Sequence, residues 1–73
     1  MATTEIVSEV TGTVWKIERV VGDRVATGEL IMILESMKME IPVEATVAGT
    51  LTEIKVVAEE SVEEEQVLCL IES

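Results

Sequence analysis

The residues best placed to do chemistry are Glu35-Ser36-Met37-Lys38-Met39-Glu40. They join an aliphatic run, Leu30 to Leu34, to a segment in which Ile41, Val43, Ala45 and Val47 alternate with Glu40, Pro42, Glu44 and Thr46. So short a link between two strands predicts a hairpin. Lys38 then sits at the tip of a tight turn, with Met37 and Met39 on one side and Lys38 on the other by the period of two. Nothing at a tip can bury a lysine or make it a catalytic base. An ordinary lysine amine is almost wholly protonated at neutral pH, so it is a poor nucleophile by itself. The position offers a handle instead: a long flexible stem on a fixed turn, open to an enzyme that brings its own activated group. Met37 and Met39 either cover the end of the core or form an adaptable contact that a partner reads. Glu35 and Glu40 are either the rims of the hairpin or part of that contact.

Composition removes most other chemistry. The 73 residues include no His and a single Cys, Cys69. The usual zinc and haem constellations and a Ser-His-Asp or Cys-His nucleophile are therefore absent. Five basic against fifteen acidic residues give a formal charge of −10. With no basic patch, this argues against nucleic acid and anionic membranes. The run Leu30 to Leu34 is too short to span a bilayer. Residues Met1 to Val7 contain Glu5 and no basic leader, so no secretory signal is read there. A lone Cys fits a reducing compartment. The expectation is one small cytoplasmic domain over residues 1–73.

The chain reads as all-β. Pro42, which lacks a donor, belongs on an edge strand. Leu30 to Leu34 reads as a strand buried on both faces. Gly12, Gly22-Asp23, Gly28 and Gly49 read as turns. Val14, Ile17 and Val21 sit at helical spacing, as do Leu51, Ile54 and Ala58, but β-branched residues and glycines favour strands. A shift of 37 positions aligns residues 10–35 with 47–72 without a gap, with seven identities in 26. Two copies suggest one domain of two similar halves about a pseudo-twofold axis. Cys69 aligns with Met32 and reads as core. Trp15, the only aromatic residue, aligns with Thr52 and should be partly exposed. Gly22-Asp23 becomes Glu59-Glu60 in the second copy and Gly28 becomes Glu65. Glu tolerates positive φ poorly, so the second loop is expected not to copy the first. Lys16 and Lys55 fall in strand segments.

Met37-Lys38-Met39, preceded by Glu35-Ser36, resembles the attachment signature of biotinyl carrier domains. The resemblance extends to Gly12-Thr13-Val14, Val21-Gly22-Asp23-Arg24-Val25, Thr27-Gly28-Glu29-Leu30 and Ala48-Gly49-Thr50. It implies a flattened β-barrel of two four-stranded antiparallel sheets with pseudo-twofold symmetry. It implies biotin joined to Lys38 by an amide bond, which a biotin protein ligase makes from biotinyl-adenylate. It implies partners that are the biotin carboxylase and carboxyltransferase of a biotin-dependent carboxylase, with the carrier itself not an enzyme. Met37, Met39, Glu35, Ser36 and Glu40 would be the residues recognised around Lys38. A lipoyl carrier is the alternative on the same fold, but lipoyl sites usually show Asp-Lys-Ala rather than Met-Lys-Met. An unmodified interaction module is the third reading. The departures are Glu59, Glu60 and Glu65 where the family repeats Gly-Asp and Gly-(Asp/Glu), and the lack of a protruding thumb or a Pro/Ala-rich linker.

Overall fold

Val, Ile and Thr favour extended backbone, and the computed structural model, which describes residues 2–73, contains strands and no helix. The strands are β1 (Thr3–Val7), β2 (Gly12–Ile17), β3 (Arg24–Val25), β4 (Leu30–Ser36), β5 (Met39–Glu44), β6 (Gly49–Ile54), β7 (Ser61–Val62) and β8 (Val67–Glu72). They form two four-stranded antiparallel sheets, in the orders β1-β8-β6-β3 and β5-β4-β2-β7. The core between the sheets is aliphatic, with Val14, Ile31, Met32, Leu34, Leu51, Leu68, Cys69 and Ile71 wholly buried. Pro42 lies on an edge strand, as expected.

The 37-residue shift carries β2 onto β6, β3 onto β7 and β4 onto β8. It also relates β1 to β5, whose sequences share too little to reveal it. Each sheet takes two strands from each half. The halves therefore cannot form separate cores, and the pseudo-twofold exchanges the two sheets.

β-Bulges explain two features of the pattern. Val14 pairs with Leu34 and Lys16 with Ile33, which leaves Trp15 as an extra residue in β2. Leu51 and Glu53 leave Thr52 in the same way in β6. The extra residue resets the alternation, so Val14 and Ile17, three apart, both turn inward; this is the source of the apparent helical spacing. Ile31 in β4 and Leu68 in β8 are likewise skipped by their edge partners. The consecutive buried pairs Ile31-Met32 and Leu68-Cys69 arise there, and not from strands covered on both faces, as the sequence suggested.

Gly12 and Gly49 are not turn residues, contrary to the sequence reading, but the first residues of β2 and β6. A Cβ at Gly12 would run into the backbone carbonyl oxygen of Glu35, and one at Gly49 into that of Glu72. The two contacts are equivalent under the 37-residue shift.

The Glu-rich loop corrects a third expectation. Glu59 and Glu65 have φ of 73° and 70°, where Gly22 and Gly28 have 101° and 90°. The second loop copies the first bond for bond. Gly22 N donates to Leu51 O and Leu51 N to Asp23 O, while Glu59 N donates to Val14 O and Val14 N to Glu60 O. Side chains cap both loops alike: Val20 N donates to Asp23 Oδ2 and Val57 N to Glu60 Oε1. Ala26 N donates to Glu29 Oε1 and Glu63 N to Gln66 Oε1. This framework outweighs the steric resistance of two Glu residues to left-handed backbone, which costs roughly 1–2 kcal/mol each.

Three measurements follow from this packing. Glu59→Gly and Glu65→Gly should each stabilise the domain by about 0.5–1 kcal/mol, the strain relieved exceeding the entropy lost. The thermal midpoint should rise by a few degrees. Glu59→Gln keeps the strain and removes the charge, so it should give less; equal gains from Gln and Gly would trace the effect to charge instead. Gly12→Ala and Gly49→Ala should each destabilise by about 1–3 kcal/mol, because the neighbouring strand must yield. Burial pushes the Cys69 thiol up to about 11. It should react with a maleimide at neutral pH only on unfolding, and rapid labelling of the native protein would contradict the packing described.

Candidate functional site

β4 and β5 form the longest hairpin in the fold, with Ser36 paired to Met39 across the last rung. Only Met37 and Lys38 remain for the turn. Their φ values are 53° and 66°. Two positive φ values in a two-residue loop make a type I′ turn, whose twist matches that of the flanking strands. Asn-Gly is the usual occupant of such a turn, so Met-Lys holds it under strain. Met37 and Lys38 are thus turn residues outside the strand alternation, and the period-two placement expected for them does not apply. Met37 is 92% exposed and Met39 63% exposed. They do not cover the end of the core.

Lys38 lies at the tip and is exposed. Among the described residues the ion pairs are Lys16–Glu18, Arg19–Glu29 and Lys55–Glu53, so two of the three lysines are engaged and Lys38 is not. Lys16 is in β2; Lys55 lies just beyond β6 rather than within it, with its N–H on Leu68 O. Both are tied to the sheet framework. Lys38 alone projects beyond the ladder.

All six residues singled out by the sequence, Glu35 to Glu40, come together in this hairpin. Glu35 and Glu40 face one another directly across the ladder. Ser36 Oγ donates to Thr11 O at 3.0 Å, which anchors one shoulder of the turn to the segment entering β2. Thr11 also accepts from Glu64 N at 3.4 Å through its hydroxyl. It thereby links the hairpin to the Glu-rich loop. Sequence reasoning missed Thr11, and the separations of 25 and 53 residues leave no local signal for it.

The arrangement presents one primary amine on a rigid turn, with flexible thioethers beside it and the facing carboxylates of Glu35 and Glu40 at its foot. No group of three or more metal-ligating side chains occurs among the described residues. Such a site can accept an acyl group activated elsewhere and hold it out from the surface. Ser36→Ala should lower stability by about 0.5–1.5 kcal/mol through loss of the bond to Thr11. Met37→Asn should leave the thermal midpoint unchanged or raise it, since Asn tolerates left-handed backbone and no core contact is lost. A clear fall on Met37→Asn would mean that the methionine packs against the fold.

Known proteins share this fold and parts of this sequence. A biotin/lipoyl family model, described as "Biotin-requiring enzyme", matches residues 5–71. The biotin/lipoyl attachment protein of Bacillus subtilis (strain 168) is 43% identical over 47 residues, which span 64% of this chain and 64% of that protein. The biotinylated protein TB7.3 homolog of Mycobacterium leprae (strain TN) is 38% identical over 52 residues, 71% of this chain and 73% of the other. Among solved structures, the urea carboxylase of Kluyveromyces lactis superposes with a TM-score of 0.91 at 34% identity, over 97% of this chain. A single-chain, multi-domain long-chain acyl-CoA carboxylase gives 0.86 at 22% identity over 93%, a likeness of fold alone. The chain spans just under two thirds of the Bacillus relative, and only 6% and 7% of the two carboxylases.

Proposed function

The chain belongs to the biotin/lipoyl attachment family, and within it we propose a biotin carboxyl carrier loaded on Lys38. Residues 1–73 are read as one attachment domain. The carrying observation is the Met37-Lys38 turn, which offers a single unpaired lysine at a rigid tip between two exposed methionines. A biotin protein ligase would supply biotinyl-adenylate. The Lys38 amine, once deprotonated in the ligase site, would attack the acyl carbon, forming the amide and releasing AMP.

Biotin supplies the carboxyl-carrying chemistry; this chain supplies position and reach. The type I′ turn fixes the root of the arm, and the lysine stem gives it sweep. Shuttling between a biotin carboxylase site and a carboxyltransferase site then gains from the effective concentration that tethering provides. The domain needs no catalytic group of its own. Met37, Met39, Glu35, Ser36 and Glu40 are proposed as the surface that the ligase and the carboxylase subunits recognise. A cytoplasmic setting is part of this reading, in keeping with the lone thiol of Cys69. The exposed methionines favour biotin over lipoate as the group carried.

Co-expression with a biotin protein ligase should add one biotinyl group to the intact mass. Lys38→Arg keeps the charge but not the acylable amine, so it should abolish streptavidin binding while leaving the melt unchanged. The modified wild type should elute later on anion exchange, having lost one positive charge. Biotin on Lys16 or Lys55 in the Arg variant would overturn the site. An unmodified wild type beside an active ligase would overturn the carrier reading, and lipoylation in its place would establish the alternative.

A further inference from the structure

The pseudo-twofold gives each outer surface position an equivalent on the opposite sheet, so the two faces can be compared residue by residue. On the β5-β4-β2 face, Ile33 stands between Pro42 on one side and the bulged pair Trp15-Lys16 on the other. Trp15 is 49% exposed, Pro42 is exposed and Ile33 half-buried. The equivalent row on the β1-β8-β6 face consists of Glu5, Leu70 and Thr52 with Glu53. One face carries Pro42, Ile33 and Trp15 across three strands, with Lys16 beside the tryptophan and paired to Glu18; the other row is polar at both ends. Folding does not require the tryptophan, because Thr52 occupies the same bulge.

Charge is asymmetric in the same way. Two residues nearer the hairpin and on the same face as Ile33 and Pro42, Glu35 opposes Glu40. Like charges directly opposed on a ladder are unfavourable, and neither carboxylate is ion-paired among the described residues. At the equivalent place on the other sheet, Glu72 opposes Thr3. The row through Ile33 therefore leads to an unneutralised carboxylate pair at the foot of the Lys38 turn.

Resting on the carrier reading, we propose that the outer face of β5-β4-β2 is the docking surface for a biotin carboxylase, whose rim presents Arg or Lys beside apolar side chains. A cation seated between Glu35 and Glu40 relieves their repulsion, and an apolar side chain covers Trp15. A site that binds an anionic carboxyl donor gains from a cationic cleft, and a cationic rim complements this face. Opposite charge speeds the encounter, while tryptophan is among the residue types enriched at the anchoring points of interfaces. A partner seated there has the arm at its edge. The β1-β8-β6 face has neither a tryptophan nor a facing carboxylate pair; its exposed apolar residue is Val7, at the place where the other face has Glu44.

The single tryptophan gives a single indole N–H signal, which makes the test direct. Loading of Lys38 is first scored by intact mass. The 15N-labelled, biotinylated protein is then titrated with the unlabelled biotin carboxylase of the same organism. The indole signal and the amides of Thr13, Ile33, Glu35 and Glu40 should shift or broaden, while those of Glu5, Thr52 and Leu70 hold still. Trp15→Thr should weaken binding by about tenfold, and Glu35→Lys with Glu40→Lys should weaken it further and flatten its salt dependence. Thr52→Trp should change nothing. Hairpin signals that respond without the indole, or equal affinity for Trp15→Thr and wild type, would overturn the docking face and leave the carrier reading intact. An indole signal moved by biotin protein ligase and not by the carboxylase would overturn the named occupant. Failure of the wild type to take biotin at the first step would remove the carrier reading, and this inference with it.

Discussion

Each half of the chain closes its long loop onto a strand of the other half, and the rest of the fold depends on that exchange. The loop at Gly22-Asp23 is bonded to both backbone groups of Leu51, and the loop at Glu59-Glu60 to both of Val14. Leu51 and Val14 are fully buried at equivalent places in β6 and β2. The four bonds thus join loop, strand and core of opposite halves at two points. They hold the loops against β6 and β2, the inner strands that neighbour the short edge strands β3 and β7, satisfy buried backbone groups that no ladder reaches, and forbid either half from folding alone. A chain this short buries little surface per residue, so interleaving is how it assembles one core instead of two inadequate ones.

The same symmetry shows why the hairpin is where it is. A shift of 37 residues carries Ser36 onto Ser73, and the reverse shift carries Met39 onto Ala2. Ala2 and Ser73 exchange both backbone hydrogen bonds, at 3.1 and 2.9 Å, just as the last rung before the turn would require. The Met37-Lys38 turn is thus the covalent counterpart of the rung between Ala2 and Ser73. β1 and the segment after it run from Ala2 to Thr11, which meets Ser36 at the hairpin shoulder. The two rungs therefore lie toward opposite ends of a body measuring 36 by 18 by 18 Å. The Lys38 turn therefore lies toward the end opposite that second rung.

Much of this was legible in the sequence because it depends on local pattern. The alternation at Ile41 to Val47 and the run from Leu30 gave the hairpin strands, and the gapless repeat gave the symmetry. Bulges disturb the count in two places. Val14 and Ile17 fall at helical spacing because a bulge adds one residue to β2, although their β-branched neighbourhood rightly reads as strand. Burial on both faces was inferred at Leu30 to Leu34 for the same reason. Gly12 and Gly49 were taken for turns because glycine serves two needs, left-handed backbone and close approach, and only the fold tells which. At the site, Glu35 to Glu40 were contiguous and could be found. Thr11 could not, since only the packed barrel brings it beside Ser36.

Backbone strain by itself does not locate function here. Four non-glycine residues adopt left-handed φ: Met37, Lys38, Glu59 and Glu65. All four carry a comparable steric penalty. Glu59 and Glu65 are forced into it by the reciprocal loop bonds, and their side chains have no assigned task. Met37 and Lys38 are forced into it by the two-residue span between Ser36 and Met39. The backbone cause is therefore similar in kind, and the difference lies in what the strain presents. In the loops it serves bonds that point inward, to Val14 and Ser8. In the hairpin it drives two long side chains outward from the last rung, beyond every other lysine in the chain. Asn-Gly would relax that turn and present nothing. The strain in the hairpin is thus the backbone cost of placing two long side chains, rather than Asn and Gly, at the tip.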